Sequence, residues 1–351
     1  MPFLLYGATG YTGRLIARLA AERGLRPVLG GRSAGPLAAL ADELGLDHVV
    51  VGLDHPASLD LALESVPLVL HAAGPFAQTS RPMADACLRT RTHYLDITGE
   101  IAVFEALAAR DAEARRARIT VLPGVGFDVV PTDCLAMHLH RALPGATRLK
   151  LAIRALGSAS HGTAQTAVQN AGRGGAARVG GRIVRVPEAH EGISVTFSDG
   201  KTRTCTAIPW GDVSTAFHST GIPNITTYAA LPPGAVRAMK ASRRLGPVLQ
   251  SAPVQALLGT LVDRGVSGPS EEDRERGRSF VWGEAADENG ARAVARWSGP
   301  EGYAFTADAA LRSALAVLDG RAAPGFQTPS LAFGPDFALE MDGTFREGVN
   351  T

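Results

Sequence analysis

Three glycines spaced three apart, Gly7, Gly10 and Gly13, follow at once on an apolar run in the stretch "LLYGATGYTG". Phe3–Gly7 reads as a buried strand. Tyr11–Arg23 reads as a helix with Leu15, Ile16, Leu19 and Ala20 on one face. The turn between them needs backbone freedom that a Cβ restricts. A bare Gly10 lets a pyrophosphate approach the main chain, and the helix N-terminus offers N–H groups and the positive end of its dipole. Gly13 lets helix and strand pack closely. The spacing is GxxGxxG, a variant of the dinucleotide-binding fingerprint, and it stands in the required context of strand before and helix after. Gly7, Thr9, Gly10, Tyr11, Thr12 and Gly13 are therefore cofactor-binding candidates.

Beyond this helix the chain keeps the same rhythm. Strands are expected at Pro27–Gly31, His48–Leu53, Leu68–Ala73, His93–Ile97 and Ile119–Leu122. Helices are expected at Pro36–Leu44, Ala57–Ser65, Arg81–Arg89 and Glu100–Arg118. Strands separated by helices of this length describe an α/β fold, a Rossmann-type doubly wound parallel sheet. After Gly126 the pattern changes. A helix over Val130–Leu143 precedes a strand at Arg148–Ala155, and a helix is expected to open in Ala159–Gly175. Short strands then run from Gly181 to Thr206, with Asp199-Gly200 as a turn. Phe280–Trp282 and Ala291–Trp297 flank "GEAADENG" as a hairpin, and Tyr303–Leu318 reads as a helix. The expected organisation is a dinucleotide-binding domain over residues 1–127 plus about 303–351, and a mixed α/β substrate domain over 128–302.

The end of the second strand selects the cofactor. An enzyme using NAD usually carries an acidic residue there for the ribose hydroxyls. This chain has "LGGRS": Gly30 and Gly31 leave space, Arg32 is placed to pair with a 2′-phosphate, and Ser33 to hydrogen-bond it. NADP(H) is the expected cofactor. Net charge of +1 gives no footprint for nucleic acid or an anionic membrane. Cys87, Cys134 and Cys205 form an odd set without CxxC spacing, which fits a reducing compartment. With no signal-peptide pattern and no apolar stretch of about 20 residues, a cytoplasmic location is expected.

Three further stretches follow the ends of expected strands: "AAGPF" (Ala72–Phe76), "YLDITGE" (Tyr94–Glu100) and "GVGFDVVPTD" (Gly124–Asp133). With the opening loop, they make the chain resemble the saccharopine dehydrogenase-like superfamily, more its bacterial trans-acting enoyl reductase branch than true saccharopine reductases. The resemblance is strong over residues 3–134. It is weaker over "SHGTAQT" (Ser160–Thr166) and fades in the remaining middle, while "GYAFTADAA" and "QTPSLAFG" look like the family's closing segment. It implies an NADP-binding Rossmann domain, a second α/β domain with substrate in the cleft between, and reduction of a C=N or C=C bond in a small metabolite or acyl substrate. His71 inherits no role from it.

Ligands of a doubly wound sheet sit beyond the carboxyl ends of its strands. Ala73, Gly74, Pro75 and Phe76, with Thr98 and Gly99, are therefore further cofactor candidates. Reduction needs a proton donor, and a carboxyl with a pKa raised by burial suits that role. Asp128 and Asp96 are the candidates, with His161 as an alternative donor. Tyr94, Ser160, Gly162 and Thr163 are candidates for substrate contact. Both aspartates also suit the plainer task of bracing loops or capping helices. No tyrosine has a lysine four residues later, which sets aside short-chain dehydrogenase chemistry. His138 and His140 are two apart on a helix, the wrong spacing for a zinc pair, so no metal is expected. Cys134 reads as a small core residue. A homodimer is compatible with the sequence. The rival reading from another class is a non-catalytic NADPH-binding sensor.

Overall fold

The computed structural model describes residues 3–155, 162, 164, 165, 168, 171–265 and 268–350. Ser160, His161 and Thr163 lie outside the described residues. The chain divides into two compact units, Met1–Val130 with Tyr303–Gly334, and Pro131–Gly302 with Pro335–Thr351.

The first unit holds β1 (Leu4–Tyr6), α1 (Tyr11–Glu22), β2 (Val28–Gly31), α2 (Ala34–Leu44), β3 (His48–Val50), α3 (Pro56–Glu64), β4 (Leu68–His71), α4 (Phe76–Thr90), β5 (His93–Asp96), α5 (Ile101–Ala108), α6 (Asp111–Ala117) and β6 (Thr120–Leu122). A short strand at Gly325–Phe326 pairs parallel with β6, beyond β5, β4, β1, β2 and β3 in that order. All six pairings are parallel. The order reverses at β1, which lies between β2 and β4 and so marks the switch point of a doubly wound sheet.

Two-residue alternation divides the core. Leu5, Leu29, Leu68, Leu70 and Leu95 pack on one face with Ile16, Leu37, Leu40 and Leu311. Leu4, Tyr6, Val69, Tyr94 and Val121 pack on the other with Leu59, Leu63, Met83, Val103 and Leu107. Both faces are covered, as a parallel sheet requires.

Two local expectations need correction. The helix expected at Arg81–Arg89 begins at Phe76, because its first N–H groups are capped by a residue distant in sequence. The single helix expected over Glu100–Arg118 is two, α5 and α6, with Arg110 in the break reaching Asp85 at 2.5 Å and Glu113 at 2.9 Å.

The second unit is built on a mixed sheet. Its strands are β7 (Arg148–Ala155), β8 (Gly175–Val179), β9 (Arg182–Val186), β10 (Gly192–Thr196), β11 (Thr202–Ala207), β12 (Asn224–Ala229), β13 (Arg278–Ala286) and β14 (Arg292–Pro300), with Phe345–Arg346 at one edge. β7 and β12 pair parallel, and the other pairs are antiparallel. The expected hairpin is present but longer, nine pairs from Arg278↔Pro300 to Ala286↔Arg292. Residues 335–351 fall in this unit and not in the first, a correction to the expected tail: Trp297 pairs with Arg346, and Val294 with Asn350. Trp282, Phe280, Tyr228, Phe197 and Cys205 form a core here, and the Arg154 guanidinium stacks 4.1 Å above the Phe280 ring while paired with Asp199 at 2.5 Å.

Candidate functional site: the carboxyl edge of the parallel sheet

The loops that leave the carboxyl ends of β1, β2, β4, β5 and β6 share one edge of the first unit. The glycine loop is tied to β2, since Gly7 and Ala8 both donate to the Gly30 carbonyl, at 2.8 and 3.2 Å. Its glycines divide the work. Gly7 has φ +86°, and a Cβ there would fall 2.7 Å from the Ala73 nitrogen. A Cβ on Gly13 would fall 2.9 Å from the Ala8 Cα, which confirms the close packing of helix on strand. Gly10 is different. It is exposed, and the one atom a Cβ there would crowd is the Gly7 carbonyl oxygen, at 3.3 Å. Gly10 is also the N-cap of α1 and has no side chain to offer the helix's leading N–H groups. Tight glycines on either side of an open one, before a helix whose N-cap residue has no side chain, form a cradle that fits a pyrophosphate. Thr9 closes the loop by accepting from Arg14 Nε at 3.0 Å.

At the end of β2, Arg32 and Ser33 are exposed. Arg32 makes no hydrogen bond or ion pair with any described residue. Ser33 is the N-cap of α2, but its hydroxyl makes no capping bond. A cation and a hydroxyl left uncommitted one strand from the cradle fit the 2′-phosphate of an adenosine ribose.

The other loops join the cradle in a closed rim. Gly7 packs on Ala72 and Ala73, which open the β4 loop. That loop is bonded to the β5 loop through Glu100, whose carboxylate accepts from the N–H groups of Phe76 and Ala77 at 2.9 and 3.0 Å. The β5 loop meets the β6 loop where Gly99 lies under Asp128. The β6 loop is held to the helix Gly302–Leu318 by Phe127 N–H, which donates to Thr306 Oγ1 at 3.0 Å. The start of that helix returns to the cradle, with the rings of Tyr303 and Tyr11 edge to face at 5.0 Å.

The two candidate acids sit in contrasting surroundings. Asp96 is fully buried. Tyr94 Oη donates to its Oδ2 at 2.6 Å, and the N–H groups of Thr98 and Gly124 donate to Oδ1 at 3.0 Å each. Burial raises its pKa to about 6 against the opposing pull of these bonds. Its geometry is that of a brace joining the ends of β5 and β6. Tyr94, expected at the substrate, is equally buried, and its hydroxyl serves this brace. Thr98 is buried too, and its hydroxyl accepts from Glu100 N–H at 3.1 Å. Asp128 is half-buried and accepts no hydrogen bond from any described residue. Desolvation alone raises its pKa to about 6. A carboxyl with no hydrogen-bond partner among the described residues, its pKa raised to about 6 by burial, thus lies on the ligand edge of the sheet.

His71, given no role by sequence, lies at the end of β4 among the rings of Tyr6, Phe76 and Tyr94, at 5.5, 5.3 and 6.3 Å. Thr79 Oγ1 donates to the Ala73 carbonyl at 2.6 Å, so it accepts from His71 Nε2, 3.0 Å away. Nδ1 has no partner among the described residues, and burial lowers the pKa to about 3, keeping the ring neutral. Sequence reasoning also passed over Glu100 and Thr306. For Glu100 the signal was present, since it closes the "YLDITGE" stretch. Of the candidates in the second unit, Gly162 is helical and exposed. Cys134 is buried, and burial pushes its thiol well above its ordinary range. Among the described residues no cluster of His, Cys, Asp and Glu could hold a metal ion, and no helix is long and apolar enough to cross a membrane.

The fold and the cradle define a dinucleotide-binding domain of Rossmann type. Residues 3–122 match the family model of the saccharopine dehydrogenase NADP binding domain, so nicotinamide dinucleotide is the cofactor class this domain takes. The trans-acting enoyl reductase of Mycobacterium ulcerans is 34% identical over 148 residues, covering 39% of this chain and 35% of that protein. A saccharopine dehydrogenase-like oxidoreductase of Rattus norvegicus is 27% identical over 168 residues, covering 41% of this chain and 39% of that protein. The matched stretch is thus well under half the length of these relatives. Apo saccharopine dehydrogenase (L-Glu forming) from Saccharomyces cerevisiae superposes with a TM-score of 0.68 over the whole of both chains at 14% identity, a likeness of fold.

Proposed function

We propose that this chain is an NADP(H)-dependent oxidoreductase that reduces a C=N or conjugated C=C bond in a small metabolite or acyl substrate. The names of its relatives, an enoyl reductase and a saccharopine dehydrogenase-like oxidoreductase, support the reaction class. The single observation that carries the reading is Asp128, a carboxyl with no hydrogen-bond partner among the described residues and a pKa near 6, on the same edge as the cradle.

Gly10 and the first turn of α1 would hold the pyrophosphate, Arg32 and Ser33 the 2′-phosphate, and Ala73–Phe76 with Gly99 the far half of the cofactor. When bound, the reduced nicotinamide supplies a hydride equivalent. Reduction also consumes one proton, and Asp128 in its carboxylic acid form holds that proton on Oδ1 or Oδ2. Giving it up leaves a carboxylate that is reprotonated from solvent. Asp96 holds the β5 and β6 loops in place while this occurs.

The test is NADPH consumption against cyclic imines and α,β-unsaturated acyl thioesters. Turnover of one class by the wild type, lost in Asp128→Asn with NADPH affinity kept, supports the reading. Tight NADPH binding without turnover of either class points instead to the sensor.

A further inference from the structure

Two of the sequence motifs, "AAGPF" and "YLDITGE", are joined by one carboxylate. Pro75, the N-cap of α4, has no side-chain group to satisfy the helix's first N–H groups. Glu100 does so from 24 residues away, with one carboxylate oxygen on Phe76 N–H and the other on Ala77 N–H. Its own N–H is fixed by Thr98 Oγ1, so the carboxylate is aimed from a held main chain. On the other side of the same segment, Thr79 holds the Ala73 carbonyl and is itself held by His71. Gly74–Phe76 is therefore a shelf gripped at both ends, in direct contact with the glycine loop through Ala73 and Gly7.

The charge placement has a second effect. A carboxylate seated on the N-terminus of α4 neutralises that dipole end and makes it a poor site for phosphate. The cradle before α1, which has no acidic residue in its own first turn, is the better place for the pyrophosphate. Arg32 lies on the β2 side of β1 and the shelf on the β4 side. A dinucleotide with its pyrophosphate at the cradle and its adenosine toward Arg32 must lay its nicotinamide half toward the shelf.

We propose that Glu100 is a positioning residue for the nicotinamide half of the cofactor, acting through the Gly74–Phe76 shelf. This rests on the cofactor reading above. The experiment compares Glu100→Ala and Glu100→Gln with wild type for binding of NADPH and of 2′,5′-ADP, a probe that carries only the adenosine half. Calorimetry and the emission of the reduced nicotinamide are the readouts. Loss of two charge-assisted bonds should raise the NADPH dissociation constant about tenfold in Glu100→Ala and shift the nicotinamide emission toward that of free NADPH. The constant for 2′,5′-ADP should be unchanged. Glu100→Gln keeps one acceptor and should fall between, and it carries the test if the alanine variant does not fold. Equal weakening of both ligands, or no change in either, overturns the proposal. Failure of the wild type to take up NADPH or 2′,5′-ADP overturns the cofactor reading itself.

Discussion

The Asp128 carboxylate rests on the bare Cα face of Gly99, where a methyl group would fall 2.6 Å from Oδ2. Two loops that are far apart in sequence thus meet in a contact only glycine permits. Gly99→Ala should displace the carboxylate and lower turnover about tenfold or more, since small misplacements of a reacting group are costly. Steady-state kinetics with NADPH held saturating would check this, and unchanged turnover would remove Asp128 from the chemistry.

Titration of Asp128 gives a pH signature. A general acid must be protonated, and this carboxyl loses its proton near pH 6. The rate should therefore fall as pH rises through about 6, approaching a tenfold drop per unit. Folding stability follows the same sign: with the folded pKa above the ordinary 3.8, stability declines between pH 3.8 and 6 as the ionised form becomes dominant. A pH–rate series on the wild type would check the first, and melting curves of Asp128→Asn should show a smaller decline between pH 3.8 and 6, with Asp96 keeping its own share.

Arg32 should decide between the two nicotinamide cofactors. Arg32→Ala is expected to raise the NADPH dissociation constant by about ten- to a hundredfold, the scale of a lost guanidinium–phosphate pair, and to leave NADH almost unaffected. Equal effects on both would show that the exposed guanidinium recognises something other than the 2′-phosphate.

The three loop glycines should separate folding from binding. Gly7→Ala and Gly13→Ala force a side chain into backbone and should destabilise the fold by about 2–4 kcal/mol. Gly10→Ala meets almost nothing and should melt within a few degrees of wild type while losing dinucleotide affinity. Denaturation and calorimetry on the same three proteins would test the division.

His71 predicts sensitivity to acid. Its folded pKa of about 3 lies below the ordinary 6.5, so the folded state resists protonation and stability falls as pH drops from 6.5 toward 3. Asp96, with its pKa raised to about 6, acts in the opposite sense between pH 6 and 3.8 and offsets part of the loss. Replacement of His71 by Gln should remove the histidine's share, read as a shallower decline of the melting temperature below pH 6.5.

The order of strands and helices in the first unit was legible because each element carries its own signal. Leu4–Tyr6 is apolar and short, and α1 has its buried stripe at Ile16, Ala17 and Ala20. The glycine loop was legible for the same reason. Boundaries set by distant partners were not. The start of α4 at Phe76 depends on Glu100, and the break before α6 on Arg110 reaching Asp85. The contrast between Asp96 and Asp128 was equally hidden, because both follow strand ends and only folding gives Asp96 three hydrogen bonds. Phe345–Arg346 joined the second unit through a partner strand nearly fifty residues upstream, which no local pattern announces.

The strand at Gly325–Phe326 completes the sheet next to β6, about 200 residues after β6 itself. During synthesis on a ribosome, the other strands of this sheet emerge first, and the β6 border must wait, unpaired, until about 200 further residues have been added. Until then that border is an open strand edge on which a nascent chain can mispair with its neighbours, and a chaperone would have something to shield there.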